Sequence, residues 1–339
     1  MSTYIIMGAI VLFLFCELAI GAKYQPDSAH FFDIDNTNAM RGFWCLIVIL
    51  VHIPAAYQNP IQDMIGSFAY IGVTFFFMTS AYGLSLAQKK NPNSINGFWR
   101  RRLPKLLIPC LVVNVVGLVF DAIVGDSIEL SNLIRINGWV QWLLICYLIF
   151  WICHKFIGVG YQDILTCVLV VLFSGLIYIL KARGLIENTT WCTEIFGFVW
   201  GITFFHIKDR IIHFCRKAWA KKCIVLCLTA GILGITYIKM KTVVFFGDYL
   251  LKIALGIAII LFILFLNTKI SIGNRVSGFL GNISYEVYLL HGITFGFVVS
   301  FASSIQSGMF ILVSICITVF IAWLIHIISQ IMIKEIMKI

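Results

Sequence analysis

Apolar stretches too long for the interior of an ordinary soluble domain constrain this chain more than any other feature. Ile108–Val124, Ile164–Leu180 and Tyr249–Leu266 each run 17 residues or more with few charges. A helix of about 20 apolar residues crosses a ~30 Å hydrocarbon core. Only helices and closed barrels cross it with every backbone polar group satisfied. No alternating polar–apolar segments of the kind a barrel needs are found, so the chain reads as an all-α integral membrane protein. Composition agrees: 61% of the 339 residues are hydrophobic and 12% charged, against about a quarter charged in soluble domains.

Eleven spans are expected: 4–22, 40–57, 66–87, 106–124, 139–157, 164–180, 194–207, 223–240, 249–267, 283–303 and 308–333. They divide into an extra N-terminal transmembrane helix with its following loop (1–37) and a ten-helix membrane domain (38–339). The first helix lacks the basic residues of a cleaved leader, since no Lys or Arg precedes Lys23, and is expected to be retained. No internal repeat of the kind built into many transporters is evident.

The net charge of +10 could suggest nucleic acid, but its distribution points to a lipid bilayer. Nineteen of the 25 Lys and Arg residues fall on one side of the expected spans, leaving Arg135, Lys181, Arg183, Lys239, Lys241 and Lys252 on the other. The basic side is expected to be cytoplasmic. That gives a multi-pass protein of the cell membrane, N-terminus outside and C-terminus inside. The 11 cysteines show no metal-ligand spacing, so no metal is implied.

Five segments hold candidate functional residues, each with a plainer structural alternative. Arg41 and His52 lie eleven positions apart, which on a helix is within about 20° of whole turns and a rise of about 16 Å. They would share a face, Arg41 at the inner edge and His52 in the outer half of the bilayer. Ionisable residues inside a span usually line a cavity, though a snorkelling Arg and a hydrogen-bonded His would look the same. The loop around Arg100, Arg101, Arg102 and Lys105 is dense enough to hold phosphates, or serves as ordinary membrane anchoring. Ser284, Tyr288 and His291 fall on one helical face, either as a site or as a satisfied polar cluster. Glu286 lies off that face. Ser80 and Tyr82 sit in a segment rich in small and hydroxylated residues, suited to close helix packing. Trp139, Gln141 and Trp142 form either an aromatic belt at the outer interface or a platform for a sugar. Asp121, His154, His206 and His326 are expected near helix ends without a role.

In order and spacing these segments resemble the acyltransferase-3 family, integral membrane acyltransferases of bacterial surface glycans, from about Asn36 to about Ile333. NAMRGFWCLIVILVHI is similar to the opening helix with its R-x10-H signature, Arg41 and His52. GVTFFFMTSAYGLS, FWRRRLPKLLIP, GWVQWLLICYLIF and ISYEVYLLHG are similar to the segments that follow. Departures are Thr74, where many members carry an acid, Ala81 in place of Gly, and Lys105 as the second member of an R-x-x-R pair.

The resemblance implies transfer of an acyl group, usually acetyl from cytoplasmic acetyl-CoA, to a hydroxyl of a cell-surface polysaccharide or lipid-linked glycan. It implies His52 and Arg41 as catalytic residues, with Arg100, Arg101, Arg102 and Lys105 holding the cofactor phosphates. Ser80, Tyr82, Trp139, Gln141, Trp142, Ser284, Tyr288 and His291 would support the substrate. The competing readings are a transporter or glycan flippase with an intramembrane His/Arg relay, and a catalytically inert scaffold.

Overall fold

The structure is a computed structural model that describes every residue except 1, 2, 26, 29, 30, 159, 187–190, 302, 303 and 339. Its helices are α1 (Thr3–Ala19), α2 (Ile34–Val51), α3 (Pro60–Gly66), α4 (Ala69–Lys90), α5 (Phe98–Val124) and α6 (Gly138–Phe156). They continue with α7 (Gln162–Ala182), α8 (Phe196–Arg216), α9 (Trp219–Met240), α10 (Lys252–Asn267), α11 (Arg275–Phe301) and α12 (Ser307–Lys338). Two short strands, β1 (Lys23–Tyr24) and β2 (Ile270–Ser271), pair antiparallel. Among the described residues, eleven helices reach 16 residues or more, and eight segments are long and apolar enough to cross a membrane. The exceptions are α1, apolar but 17 residues long, and α2 and α8, whose ionisable residues, such as Arg41 and Lys208, interrupt the apolar run.

Local chemistry shifts several boundaries from those expected. Helix α2 begins at Ile34 because the Asp33 side chain accepts the Asn36 amide at 2.9 Å, an N-cap that satisfies an otherwise orphaned donor. The expected division at 37/38 therefore falls inside a helix. The helix stops at Val51, three residues before Pro54, and a residue before proline is biased away from helical angles. His52 is thus the C-cap of α2 and not a mid-helix residue. Its position is corrected to the helix end. Helix α5 starts at Phe98, eight residues earlier than expected, so the basic "loop" is in fact the first two turns of a helix.

Helices α2, α4 and α11 form the most buried part of the bundle. Close backbone approach holds them. A Cβ on Gly281 of α11 would lie 2.2 Å from the Asn38 carbonyl of α2, and one on Gly197 of α8, which packs against α4, would lie 2.0 Å from that of Thr74. Small residues at such contacts let membrane helices approach to van der Waals distance. The helix ends rich in Lys and Arg gather at one end of the bundle: Lys155 at the end of α6 donates to Asn96 just ahead of α5.

At the opposite end the chain folds back. After α5 closes at Gly125, in the left-handed region at φ +87°, residues 130–137 descend along α5. Asn114 Nδ2 donates to the carbonyls of both Leu133 (2.9 Å) and Arg135 (2.8 Å). Asn114 precedes the end of α5 by ten residues, about 15 Å along the axis. Helix α6 therefore starts well inside the bundle and carries Trp139 with it.

Candidate active site

A cavity of about 1140 Å³ opens among the basic helix ends. Arg41, Ser80, Tyr82, Arg102, Lys105, Trp139, Ser284 and Tyr288 all line it, together with Tyr147 and Lys208. Arg102 and Lys105 reach it because they lie three residues apart on one face of α5. Arg100 and Arg101 are exposed away from it, and Arg101 donates to the Ser94 carbonyl. The four basic residues expected to act together are thus split, two in the cavity and two outside. Lys208, on α8, supplies a cation the sequence reading did not single out, and approaches the Tyr82 hydroxyl at 3.5 Å.

Arg41 stands seven residues into α2 and lines the cavity. Its guanidinium carbon lies 5.6 Å from the centroid of the Phe76 ring, a cation–π distance. Trp139 and Tyr288 close the deep end, their ring centroids 5.1 Å apart. Trp139 is also edge-on to Phe77 at 5.8 Å.

Behind this partition lie the two histidines. The His291 ring is 5.7 Å from that of Tyr288 and 4.7 Å from that of His52. His291 is buried, with Nδ1 lacking a partner. His52 is exposed at the other end of the bundle from the basic residues. Its Nδ1 donates to the Val48 carbonyl at 2.9 Å. That bond fixes the tautomer and leaves Nε2 with a free lone pair. His52 and His291 do not line the large cavity. Arg41 lines the large cavity and His52, at the C-cap of α2, does not, so the structure does not bring the two together in one cavity.

The proposed sugar platform also divides. Gln141 is exposed and donates to the Ile136 carbonyl, while Trp142 packs against Phe173 at 5.3 Å. Neither reaches the cavity that Trp139 enters. Two residues given no role by the sequence do reach it. Glu286 is 3% exposed, and its Oε1 accepts from His326 Nδ1 on α12 at 2.9 Å. Spacing could not have signalled a contact between helices forty positions apart. His154 and His206 instead share the Asp163 carboxylate at 3.2 and 2.7 Å, tying α6, α7 and α8 together. Asp121 lines a second cavity of about 480 Å³ between α5 and α11, with Asn114, Asp126, Arg135, Gly292 and Gly296 among its other walls.

A basic cavity that ends on an aromatic partition backed by paired imidazoles, with R-x10-H residues on either side, fits one comparison. A family model described as an acyltransferase domain matches residues 34–327. The chain belongs to the acyltransferase-3 family. Its match begins at the first residue of α2 and takes in every cavity-lining helix through most of α12. No curated protein and no solved structure matches the chain. This acyltransferase-3 protein is therefore a membrane acyltransferase.

Proposed function

We propose that the protein moves an acetyl group from cytoplasmic acetyl-CoA to a hydroxyl of a cell-surface polysaccharide or lipid-linked glycan. The observation that carries this reading is the cavity itself, because the cations Arg102, Lys105 and Lys208 line it together with Arg41, which lies against the Phe76 ring, and with the aromatic rings of Trp139 and Tyr288. An acyl-CoA offers groups for both, with phosphates at one end and a thioester at the other. The basic end is the cytoplasmic one, following the excess of Lys and Arg. On the same ground we propose that the N-terminus is outside and that the protein lies in the cell membrane.

Arg102 and Lys105 would hold the phosphates, with Lys208 beside them. Arg41 guides the arm toward Trp139 and Tyr288. The acceptor comes from the opposite end, where His52 is exposed and the second cavity begins at Gly292, next to His291. His52 Nε2 takes the proton of the acceptor hydroxyl as its oxygen attacks the thioester carbon. The C–S bond then breaks and the proton passes to the departing thiolate, giving the ester and free CoA. A positioned general base contributes about 10²–10⁴-fold. The Trp139–Tyr288 partition must part during turnover for the thioester to meet His52.

The test is thiol release from acetyl-CoA by membranes supplied with glycan, together with ester profiles of surface glycans from cells with and without the gene. Acceptor-dependent thiol release and loss of one ester signal are expected. Release that ignores the acceptor, with an unchanged glycan profile, overturns the reading.

A further inference from the structure

The outer end of α5 carries a carboxylate that local preference argues against. Asp121 lies in the last turn of the helix, where the macrodipole favours cations over anions. Asp126 follows just past the left-handed Gly125, and its amide donates to the Asp121 carbonyl at 2.9 Å. Two acidic side chains therefore gather at the negative end of one helix. Among the described residues, neither carboxylate has an ion-pair partner. Both line the second cavity.

That cavity, of about 480 Å³, falls in the ~300–1,000 Å³ range of small-molecule sites. Its wall holds more than acids. Asn132 and Arg135, on the segment that returns along α5, line it too, and among the described residues their side chains bond to no other group of the protein. Phe120 and Phe297 stack between α5 and α11 with ring centroids 4.1 Å apart and give the cavity an apolar, aromatic wall. On α11 the lining runs from Gly292 to Ser300, about 12 Å along the axis. Gly292 adjoins His291, so the near end of the cavity lies beside the paired imidazoles.

The inventory of donors and acceptors decides what fits. An ionised carboxylate only accepts, a guanidinium only donates, and an amide does both. A hydroxyl also does both. A polyhydroxylated ring can give O–H groups to Asp121 and Asp126, take N–H groups from Asn132 and Arg135, and lay its C–H face on the phenyl rings. Two Asp against one Arg leave this wall with an excess negative charge. A unit bearing a carboxylate or phosphate would meet like charge there, and a metal cation would meet the guanidinium. We propose that the second cavity is the subsite for the sugar unit that receives the ester, and that this unit is uncharged. Where the acceptor is lipid-linked, its phosphates lie outside this cavity. The proposal rests on the acyl-transfer reading given above and names the chemical class of the acceptor.

The experiment uses the full chain in membranes, with surface glycan isolated from cells lacking the gene as the acceptor probe. Asp121→Ala is expected to raise the acceptor KM at least about tenfold, the scale of a hydrogen bond to a charged group, with the KM for acetyl-CoA within about twofold of wild type. Asp121→Asn, which keeps an acceptor oxygen without the charge, gives a smaller rise. Asn132→Ala, on the facing wall, raises the acceptor KM about threefold or more. Mass spectrometry of glycan fragments from cells with the gene is expected to place the ester on a sugar without carboxylate or phosphate. An ester on a uronic acid or a phosphorylated sugar overturns the proposal. So does an acceptor KM that stays at the wild-type value in Asp121→Ala and Asn132→Ala, or donor and acceptor KM values that rise together, which is the signature of a merely structural role. Glycans that are identical with and without the gene overturn the transfer reading itself, a result distinct from an ester found on an anionic unit.

Discussion

His52 and His291 face each other with ring centroids 4.7 Å apart, one exposed at the end of α2 and the other buried in α11. The contact joins the two ends of the bundle, because Tyr288 on the other side of His291 belongs to the wall of the basic cavity. A reaction between a donor at one end and an acceptor at the other has to take place across this short stretch. His291→Ala is expected to lower acetyl transfer by at least about tenfold while leaving acetyl-CoA affinity near wild type, as measured by turnover and binding on the same preparation. Weakened donor binding with an unchanged turnover number would place His291 in the donor site instead.

The division of the basic residues gives a second expectation. Arg102→Ala should raise KM for acetyl-CoA about tenfold or more, the scale of a charge-assisted phosphate contact. Arg100→Ala and Arg101→Ala, exposed and outside the cavity, should stay within about threefold. Steady-state kinetics on the three variants checks this. Equal effects from all three would mean that charge at the mouth matters only as a diffuse field.

The partition can be opened by mutation. Tyr288→Ala removes one of the two rings closing the cavity, and Trp139 alone then separates the donor from the far end. Thioester hydrolysis in the absence of acceptor is expected to rise several-fold as water gains access. Thiol release without acceptor measures it, and no rise would show that the partition does not exclude water.

Acceptor traffic should depend on the second cavity. A Cβ on Gly296 would meet nothing within 4 Å, and the residue lines the second cavity, so Gly296→Trp is expected to fill space between α5 and α11. Acceptor KM is expected to rise at least about tenfold with donor KM unchanged. Unchanged acceptor kinetics would move the acceptor elsewhere.

One prediction concerns stability. Lys252 donates to Glu194 at 2.7 Å, and the two side chains are 19% and 4% exposed. Removing one partner of a buried pair strands the other charge, at a cost of about 3–5 kcal/mol. Lys252→Met should therefore lower the thermal midpoint of the detergent-solubilised protein clearly, and Lys252→Met with Glu194→Gln should recover much of the loss. Calorimetry or a thiol-reactive melt would register both.

How much of this could be read from the sequence differs from residue to residue. The membrane fold followed from the apolar runs, because a bilayer imposes length and backbone satisfaction whatever the tertiary packing. The pairing of Arg102 with Lys105 was open to a stricter use of helical spacing, since their neighbours Arg100 and Arg101 point elsewhere once α5 is known to begin at Phe98. His52 was expected inside a span running to residue 57, whereas α2 stops at Val51 ahead of Pro54 and leaves it at the C-cap. The depth of Trp139 depends on two hydrogen bonds from Asn114 to a returning segment, a tertiary event with no local signature. The bond between Glu286 and His326 crosses between α11 and α12, and only packing decides which of their faces meet.

The central claim, that the exposed imidazole at the end of α2 performs the transfer, is tested most directly by acetyl transfer from labelled acetyl-CoA to surface glycan in membranes holding His52→Ala at wild-type levels. Loss of at least about a hundredfold of the transfer rate, with acetyl-CoA still bound, is the predicted result. Transfer at the wild-type rate would contradict it and remove His52 from the reaction.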